Sequence, residues 1–114
     1  MPPLMSFSAT TPQMRARAKT VTRRLGWIKL KPGDIVWAVE KAMGLGKGGK
    51  VVRIGLIRIV DVRMEPLLAI TPEDVAAEGF PDMSRGEFIA LFCRINACLP
   101  TTMVRRIQFE YLDP

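Results

Sequence analysis

Two helix-start signals, placed between segments of strand character, constrain the fold of this sequence most. Thr71 is followed three residues later by Asp74, and Ser84 is followed three residues later by Glu87. In such capping boxes the side chains bond to backbone N–H groups at the start of a helix, so two helices are predicted here. Gly79 is expected to end the first of them, because glycine readily adopts the left-handed conformation that closes many helices. The chain must therefore interrupt its strands with a pair of short helices.

Strand-like segments lie on both sides of these helices. Residues 31–34 (KPGD) form a strong turn signal, and the apolar residues 35–39 that follow have the length of a strand. Residues 50–63 are predicted to form another strand. Their charged residues fall at both odd and even positions, so a regular strand cannot place them all on one face, and a bulge near Gly55 is expected. Apolar and polar residues alternate over residues 106–111, which predicts a half-buried closing strand. This order predicts a small α+β domain with a curled sheet or partial barrel.

The length of 114 residues is sufficient for one domain and short of two. Residues 1–4 are expected to be disordered, and residues 5–8 could form a short edge strand. Thr11 and Pro12 predict the start of a short basic helix that runs to about Ala18. The glycine-rich residues 44–49 spell GxGxxG, but a strand rather than a helix follows them. A hairpin loop is therefore favoured over a dinucleotide site.

Several classes of site are excluded by composition. Histidine is absent, which excludes Ser-His-Asp and Cys-His catalytic arrangements and every zinc site that uses histidine. Cys93 and Cys98 have the spacing of neither a metal knuckle nor a thioredoxin motif, so they are predicted to be buried, inert thiols. We expect no metal and no cofactor. Neither a secretory signal nor a membrane-spanning apolar stretch is apparent, and a cytoplasmic protein without a membrane partner is expected.

The net charge of +6 is concentrated in the first third of the chain. Residues 1–33 hold seven bases and no acid, whereas the remainder holds ten bases and eleven acids. This clustering predicts a positive surface for the phosphates of a nucleotide or nucleic acid, although a solvated basic face is the simpler alternative. The seven bases are Arg15, Arg17, Lys19, Arg23, Arg24, Lys29 and Lys31.

The segment KTVTRR (residues 19–24) has the most chemical content. The cations beside Lys19, together with burial, would favour its neutral form. A neutral lysine could take the proton of the Thr22 hydroxyl, otherwise a weak nucleophile, if a bend brings the two together. The simpler alternative is that the hydroxyls cap the backbone and the cations face water. Trp27 could pack over the sheet or stack on a base. Glu78, at the unfavourable end of a helix dipole, is expected to have an interior Lys or Arg partner or a functional role.

Taken together, these segments resemble an ASCH-domain protein of the PUA-like superfamily. The resemblance rests on the order and spacing of KTVTRR, KPGD before a strand, residues 53–63 leading to EPL, AEGF at residues 77–80, and the closing strand. It implies a small PUA-like β-barrel, or pseudo-barrel, with short helices covering its openings. It also implies a cleft in which the KTVTRR segment and the Glu78 loop converge.

One bacterial subgroup of that family hydrolyses N4-acetylcytidine with a Lys, Thr and Glu constellation. Carried onto this sequence, the resemblance implies Lys19 as the base, Thr22 as the nucleophile, and Glu78 as the acid that positions or protonates the leaving amine. A noncatalytic RNA-binding module and a ribonuclease are the alternative functions. The partner is then a modified nucleoside or RNA, and the candidate residues for binding phosphate or nucleic acid are Arg15, Arg17, Arg23, Arg24 and Trp27.

Overall fold

One mixed sheet and three helices make up the structure, a computed structural model that describes residues 2–42, 46 and 48–113. The strand order is β1-β3-β4-β5-β2, and β1 is the strand that pairs in parallel. The predicted α+β class is confirmed. The strands are β1 (Leu4–Ser6), β2 (Val21–Arg24), β3 (Ile35–Val39), β4 (Arg53–Pro66) and β5 (Met103–Tyr111); the helices are α1 (Thr11–Arg15), α2 (Pro72–Ala77) and α3 (Arg85–Asn96).

The helix-start signals act as the sequence predicts. The Asp74 N–H donates to Thr71 Oγ1 at 3.1 Å at the start of α2, and Ser84 and Glu87 form both halves of a capping box at the start of α3. Gly79 follows α2 with a φ of 105°, a left-handed value that favours glycine. The prediction for α1 is wrong at its end: the helix stops at Arg15 rather than near Ala18, because the chain turns into the left-handed region shortly after it.

Two bulges curl the long strand β4. Its pairing with β3 slips between Ala38 and Val39, whose partners are Gly55 and Arg53, so the predicted bulge near Gly55 is confirmed. A second slip, between Ile59 and Asp61, lies in the pairing with β5. Each extra residue increases the local twist and bends the strand. β3 and β4 are antiparallel, as expected for a hairpin, but residues 44, 45 and 47 of the predicted glycine-rich loop between them (residues 44–49) lie outside the described residues.

The curled sheet does not close into the predicted barrel in the described part of the chain. Its edges are β1, which has only the three residues Leu4–Ser6, and β2, and no ladder joins these two described strands. Instead, Arg24 Nη2 donates to the backbone oxygen of Ser6 at 2.7 Å. The sheet is therefore an open one whose two edges are joined by a side chain. Leu4, in the segment expected to be disordered, is the first residue of β1.

The core consists of two apolar clusters. The first packs around the sheet and includes Met5, Met14 and Ile107, all at most 1% exposed. The second lies between α2, α3 and the end of β4 and includes Val75 and Phe88. None of the helices in the described ranges is long and apolar enough to cross a membrane.

Candidate active site

Lys19 points into the interior because the chain reverses after α1. Its backbone N–H donates to the Gln13 carbonyl, and the next N–H, of Thr20, donates to the Ala77 carbonyl at the end of α2 at 2.8 Å. The Tyr111 hydroxyl on β5 donates to the Lys19 carbonyl. These bonds hold residue 19 between α1, α2 and β5, and leave it only 3% exposed.

The Lys19 ammonium forms a buried ion pair with Glu78. Its Nζ donates to Glu78 Oε1 and to the backbone oxygen of Glu78, both at 2.8 Å. Burial lowers the pKa of Lys19, and the positive charges of Arg24 and Arg23 act in the same direction, whereas Glu78 opposes the shift. The interior cation partner predicted for Glu78 is therefore present. Gly79 brings the carboxylate into place by turning the chain sharply after α2.

Arg23 joins Glu78 to a second group of acids. Its side chain has no solvent exposure, and it donates to Glu78 Oε2 at 3.1 Å, Glu65 Oε2 at 3.0 Å and Asp74 Oδ2 at 2.6 Å. Although burial opposes its charged form, the hydrogen bonds that Arg23 donates to these carboxylates raise the pKa of Arg23. Arg106 also binds Asp74, through Nε and Nη2, and these two arginines together lower the pKa of Asp74 to about 2. All three carboxylates thus lie against guanidinium groups.

Thr22 and Arg24 point to the same side of β2, as alternate residues of a strand do. Arg24 Nε donates to Thr22 Oγ1 at 3.1 Å, and the guanidinium lies 4.7 Å from the centre of the Phe7 ring. Burial lowers the pKa of Arg24 to about 10, so it remains a cation at neutral pH. Thr22 is 3% exposed, and no hydrogen bond links its hydroxyl to Lys19 Nζ among the residues described.

These side chains meet in a cavity of about 290 Å³ between the β1–α1 loop, β2, the end of α2, and α3. Its polar lining includes Lys19, Thr22 and Glu78. Its apolar lining comes mainly from aromatic rings and from one side of α3, including Leu91 and Ile95. One side of α3 therefore serves the cavity as well as the core. The cavity combines ionised groups, a buried hydroxyl and aromatic surface, which are the components of many ligand sites.

Three of the predicted binding residues lie outside this cavity. Arg15 pairs with Glu40, and Arg17 pairs with Asp113 at 3.1 Å, both at exposed positions. Trp27 is half-buried against the sheet cluster and lines a separate shallow depression. The remaining two predicted binding residues, Arg23 and Arg24, do line the cavity, but Arg23 is occupied by carboxylates.

Most of the positive charges in the first third of the chain are paired with carboxylates in the folded structure. Five of its seven cations, namely Arg15, Arg17, Lys19, Arg23 and Lys31, form ion pairs with carboxylates. Arg24 and Lys29 are the two without a carboxylate at ion-pair distance in the part of the chain described. The broad positive surface predicted from the sequence is thus reduced to isolated cations, one of which faces the cavity.

Sequence reasoning missed the residues that complete this site. Asp74 was recognised only as a helix-capping residue, and Glu65 only as part of the EPL segment, whereas both bind Arg23. Phe7 and Thr10, from the β1–α1 loop, line the cavity without a sequence signal that indicates it. The occurrence of three cations among the β-branched residues of segment 19–24 is the signal that could have indicated interior acids elsewhere.

The two cysteines are half-buried rather than fully buried as predicted. Cys93 lies in α3 and Cys98 follows it, with their Sγ atoms 4.0 Å apart. Burial raises the pKa of the Cys93 thiol, which disfavours its reactive thiolate. Within residues 2–42, 46 and 48–113, no group of three or more His, Cys, Asp or Glu side chains is placed to hold a metal ion.

Comparisons with known proteins establish the fold. No family model and no curated protein matches the chain. A protein from Enterococcus faecalis V583, described under the family label DUF984, matches with a TM-score of 0.73 at 17% identity, over 99% of this chain and 81% of the other. The hypothetical protein PH0355 matches with a TM-score of 0.63 at 17% identity, over 96% of each chain.

An ASCH domain from Lactobacillus crispatus JV V101 is also similar to this chain. It matches with a TM-score of 0.61 at 13% identity, over 96% of this chain and 78% of the other. Identities this low show a shared fold and nothing finer. The resemblance to ASCH domains is therefore confirmed at the level of the fold.

Proposed function

We propose that this protein is an ASCH-type domain with a nucleotide- or RNA-related role, and that it removes an acyl group from a modified pyrimidine nucleoside. One observation carries this proposal: Lys19, Thr22 and Glu78, each 3% exposed, all line the same cavity. Buried ionisable groups beside a cavity are typical of functional sites, whereas solvated basic segments leave such groups in water.

The size and lining of the cavity favour a ligand of nucleoside dimensions. A volume of about 290 Å³ is at the lower end of the range for small-molecule sites, roughly 300–1,000 Å³, and cannot admit a duplex. The rings of Phe7, Phe80, Phe88 and Phe92 offer apolar and stacking surface for a planar base. Lys19, Thr22 and Glu78 line the same cavity, where they can contact an acylated exocyclic amine.

The proposed reaction is acyl transfer to Thr22 followed by hydrolysis. The Lys19 ammonium first passes a proton to Glu78 Oε1, 2.8 Å away, and the neutral amine then takes the hydroxyl proton while the Thr22 oxygen bonds to the acyl carbon. The C–N bond then breaks, the proton passes to the leaving amine, which Glu78 positions, and water hydrolyses the threonine ester. Because Lys19 Nζ is bonded to Glu78 and not to Thr22, the transfer of the hydroxyl proton requires a bridging water or a rotation of the lysine side chain.

A noncatalytic module that captures one nucleotide of an RNA is the second candidate. The observation that favours it is the hydrogen bond from Arg24 to Thr22, which occupies a lone pair of the proposed nucleophile. In that function the same cavity would hold a base, and no bond would break. A ribonuclease is a third reading, and it has no specific geometric support beyond the cations of the cavity.

Hydrolysis of N4-acetylcytidine by the purified chain tests the proposal. We expect release of cytidine, followed by chromatography, and a loss of at least about 1,000-fold in kcat/KM for Thr22→Val, because the nucleophile is removed with little change in shape. The matched control is Thr20→Val: Thr20 lies in the same segment but its side chain is exposed and outside the cavity. Its activity should stay close to that of the wild type.

Two results would contradict the proposal. The first is no turnover by a folded wild-type protein, which would leave nucleotide capture as the better candidate. The second is turnover that survives in Thr22→Val, which would show that the hydroxyl is not the nucleophile.

A further inference from the structure

The charge balance of the cavity leaves one cation without a counter-ion. Lys19 is paired with Glu78, and Arg23 is paired with Glu78 and two further carboxylates. Arg24 has no carboxylate at ion-pair distance among the described residues, although it is a half-buried wall of the cavity. A buried cation is stabilised by a counter-ion. The charge of the Glu78 carboxylate favours the cationic form of Arg24, but Glu78 makes its ion pairs with Lys19 and Arg23 and not with Arg24.

Arg24 also has unused donors. A guanidinium carries five N–H groups. Within the described residues one of these, on Nε, is given to Thr22, and one, on Nη2, is given to the Ser6 carbonyl. Three N–H groups therefore remain for a ligand, enough for the paired hydrogen bonds by which arginine binds phosphate and carboxylate groups.

Hydroxyl groups of the β1–α1 loop line the cavity beside Arg24. Thr10 is 6% exposed and precedes α1, yet its side chain does not cap that helix. Its hydroxyl makes no hydrogen bond to any described residue, and Ser6 and Ser8 contribute to the same lining. The Thr10 hydroxyl is not an orphaned buried group, because it keeps surface open to the cavity, and there it can donate a hydrogen bond to a ligand oxygen beside Arg24.

We infer that the cavity binds its ligand by a phosphate group held between Arg24 and the Thr10 hydroxyl, so that its ligand is a pyrimidine nucleotide and not a neutral nucleoside. This deepens and rests on the proposed nucleoside pocket, but it concerns binding and requires no turnover. A phosphate dianion supplies the missing negative charge and three acceptor oxygens. The apolar rings of the cavity then remain available for the base.

Binding of unmodified nucleotides tests this inference independently of hydrolysis. Isothermal titration would compare cytidine, cytidine 5′-monophosphate, cytidine 3′-monophosphate and inorganic phosphate. We expect one of the two monophosphates to bind at least about tenfold more tightly than cytidine, the effect of charge-assisted hydrogen bonds. Inorganic phosphate should bind more weakly than that monophosphate, because it lacks the base.

Variants identify the residues responsible. Arg24→Gln should reduce the preference for the monophosphate over cytidine to about twofold or less, with cytidine affinity retained. The matched control is Arg94→Gln, which removes the same charge from the exposed side of α3, away from the cavity. Thr10→Val keeps the side-chain shape and removes the hydroxyl, so it gives a second test if Arg24→Gln does not fold. It should weaken monophosphate binding by about threefold or more and leave cytidine binding unchanged.

Three outcomes would overturn the inference. They are equal affinity for cytidine and both monophosphates, no binding of any of these ligands, and inorganic phosphate binding as tightly as the nucleotides. Hydrolysis of N4-acetylcytidine could still occur in the first case, and phosphate-dependent binding could be found without any hydrolysis. The failure of this inference and the failure of the proposed function are therefore separate results.

Discussion

Replacing Glu78 by glutamine should strongly destabilise the protein, mainly because the buried Lys19 ammonium loses its counter-charge. Both side chains of the Lys19–Glu78 pair are only 4% exposed, so water cannot take the place of the lost carboxylate charge. The glutamine oxygen can accept from Lys19 or from Arg23 but not from both in the way that the two carboxylate oxygens do. Removing one member of a buried ion pair costs about 3–5 kcal/mol, and we expect a loss in that range.

The loss should be reversed in part by removing the lysine charge as well. In Lys19→Met/Glu78→Gln no unpaired ammonium remains, and methionine fills a similar volume. Arg23 keeps its bonds to Glu65 and Asp74 in this double variant. We therefore expect the double variant to be more stable than Glu78→Gln alone, with a coupling energy of about 1–3 kcal/mol in the double-mutant cycle.

The pH dependence of stability gives a second signature of the same effect. Burial lowers the pKa of Lys19 in the folded state, and loss of the Glu78 charge should lower it further, because Arg23 and Arg24 remain nearby. A lysine whose pKa is lower when folded takes up a proton on unfolding. The free energy of unfolding of Glu78→Gln should therefore rise with pH up to about 10.4, the ordinary lysine pKa, by as much as about 1.4 kcal/mol per pH unit.

Urea-induced unfolding, followed by tryptophan fluorescence between pH 6 and pH 10, measures both effects. The double variant lacks the lysine and should not show the added slope. Glu78→Gln within about 0.5 kcal/mol of the wild type, or additive effects of the two substitutions, would refute this account of the ion pair.

Two further predictions concern elements that surround the site. Asp74→Asn should lower stability at neutral pH by about 1–2 kcal/mol and flatten the acid limb of a pH titration of stability. The direction of this pH effect follows from the pKa of Asp74, which is about 2 in the folded protein. The wild-type carboxylate stabilises the fold fully above its ordinary pKa of 3.8, and this stabilisation is lost as pH falls toward 2. Gly79→Ala should cost about 1–3 kcal/mol in thermal unfolding, since the φ there is 105° and a Cβ would lie 2.8 Å from Gln13 Cγ. Gly86→Ala, at an open position of α3, is its control and should be neutral or slightly stabilising; equal effects of the two would contradict the role given to residue 79.

The sequence predicted those parts of the fold that depend on neighbouring residues. The start of α3 depends on Ser84 and Glu87, which are three positions apart. The bulge of β4 near Gly55 was indicated by charged residues that fall at both odd and even positions of the strand. Both signals lie within a few residues of the structure they produce, and both predictions are confirmed. The prediction for the end of α1 was wrong because no glycine or proline marks the left-handed turn at Arg17.

The candidate site was predicted only in part, because its partners are far apart in the chain. Lys19, Thr22 and Glu78 were identified from a short motif and a resemblance. Arg23 was expected to face a phosphate, but it binds Asp74, which is 51 residues away. A pattern of charges in one segment cannot show which distant acids the topology will bring to it. The same limit applies to barrel closure, which depends on how β1 and β2 meet.

The position of β2 in the sheet has a consequence for how the protein is made. In the described structure its only strand partner is β5, with Val21 opposite Gln108 and Arg24 opposite Arg105. During synthesis the KTVTRR segment leaves the ribosome early, and β2 has no strand partner until residues 103–111 emerge. Pairings this distant form slowly, because a long loop must close before any contact is gained. We therefore expect β2 to join the sheet late in folding, and a chain that lacks β5 to leave this wall of the cavity without a strand partner.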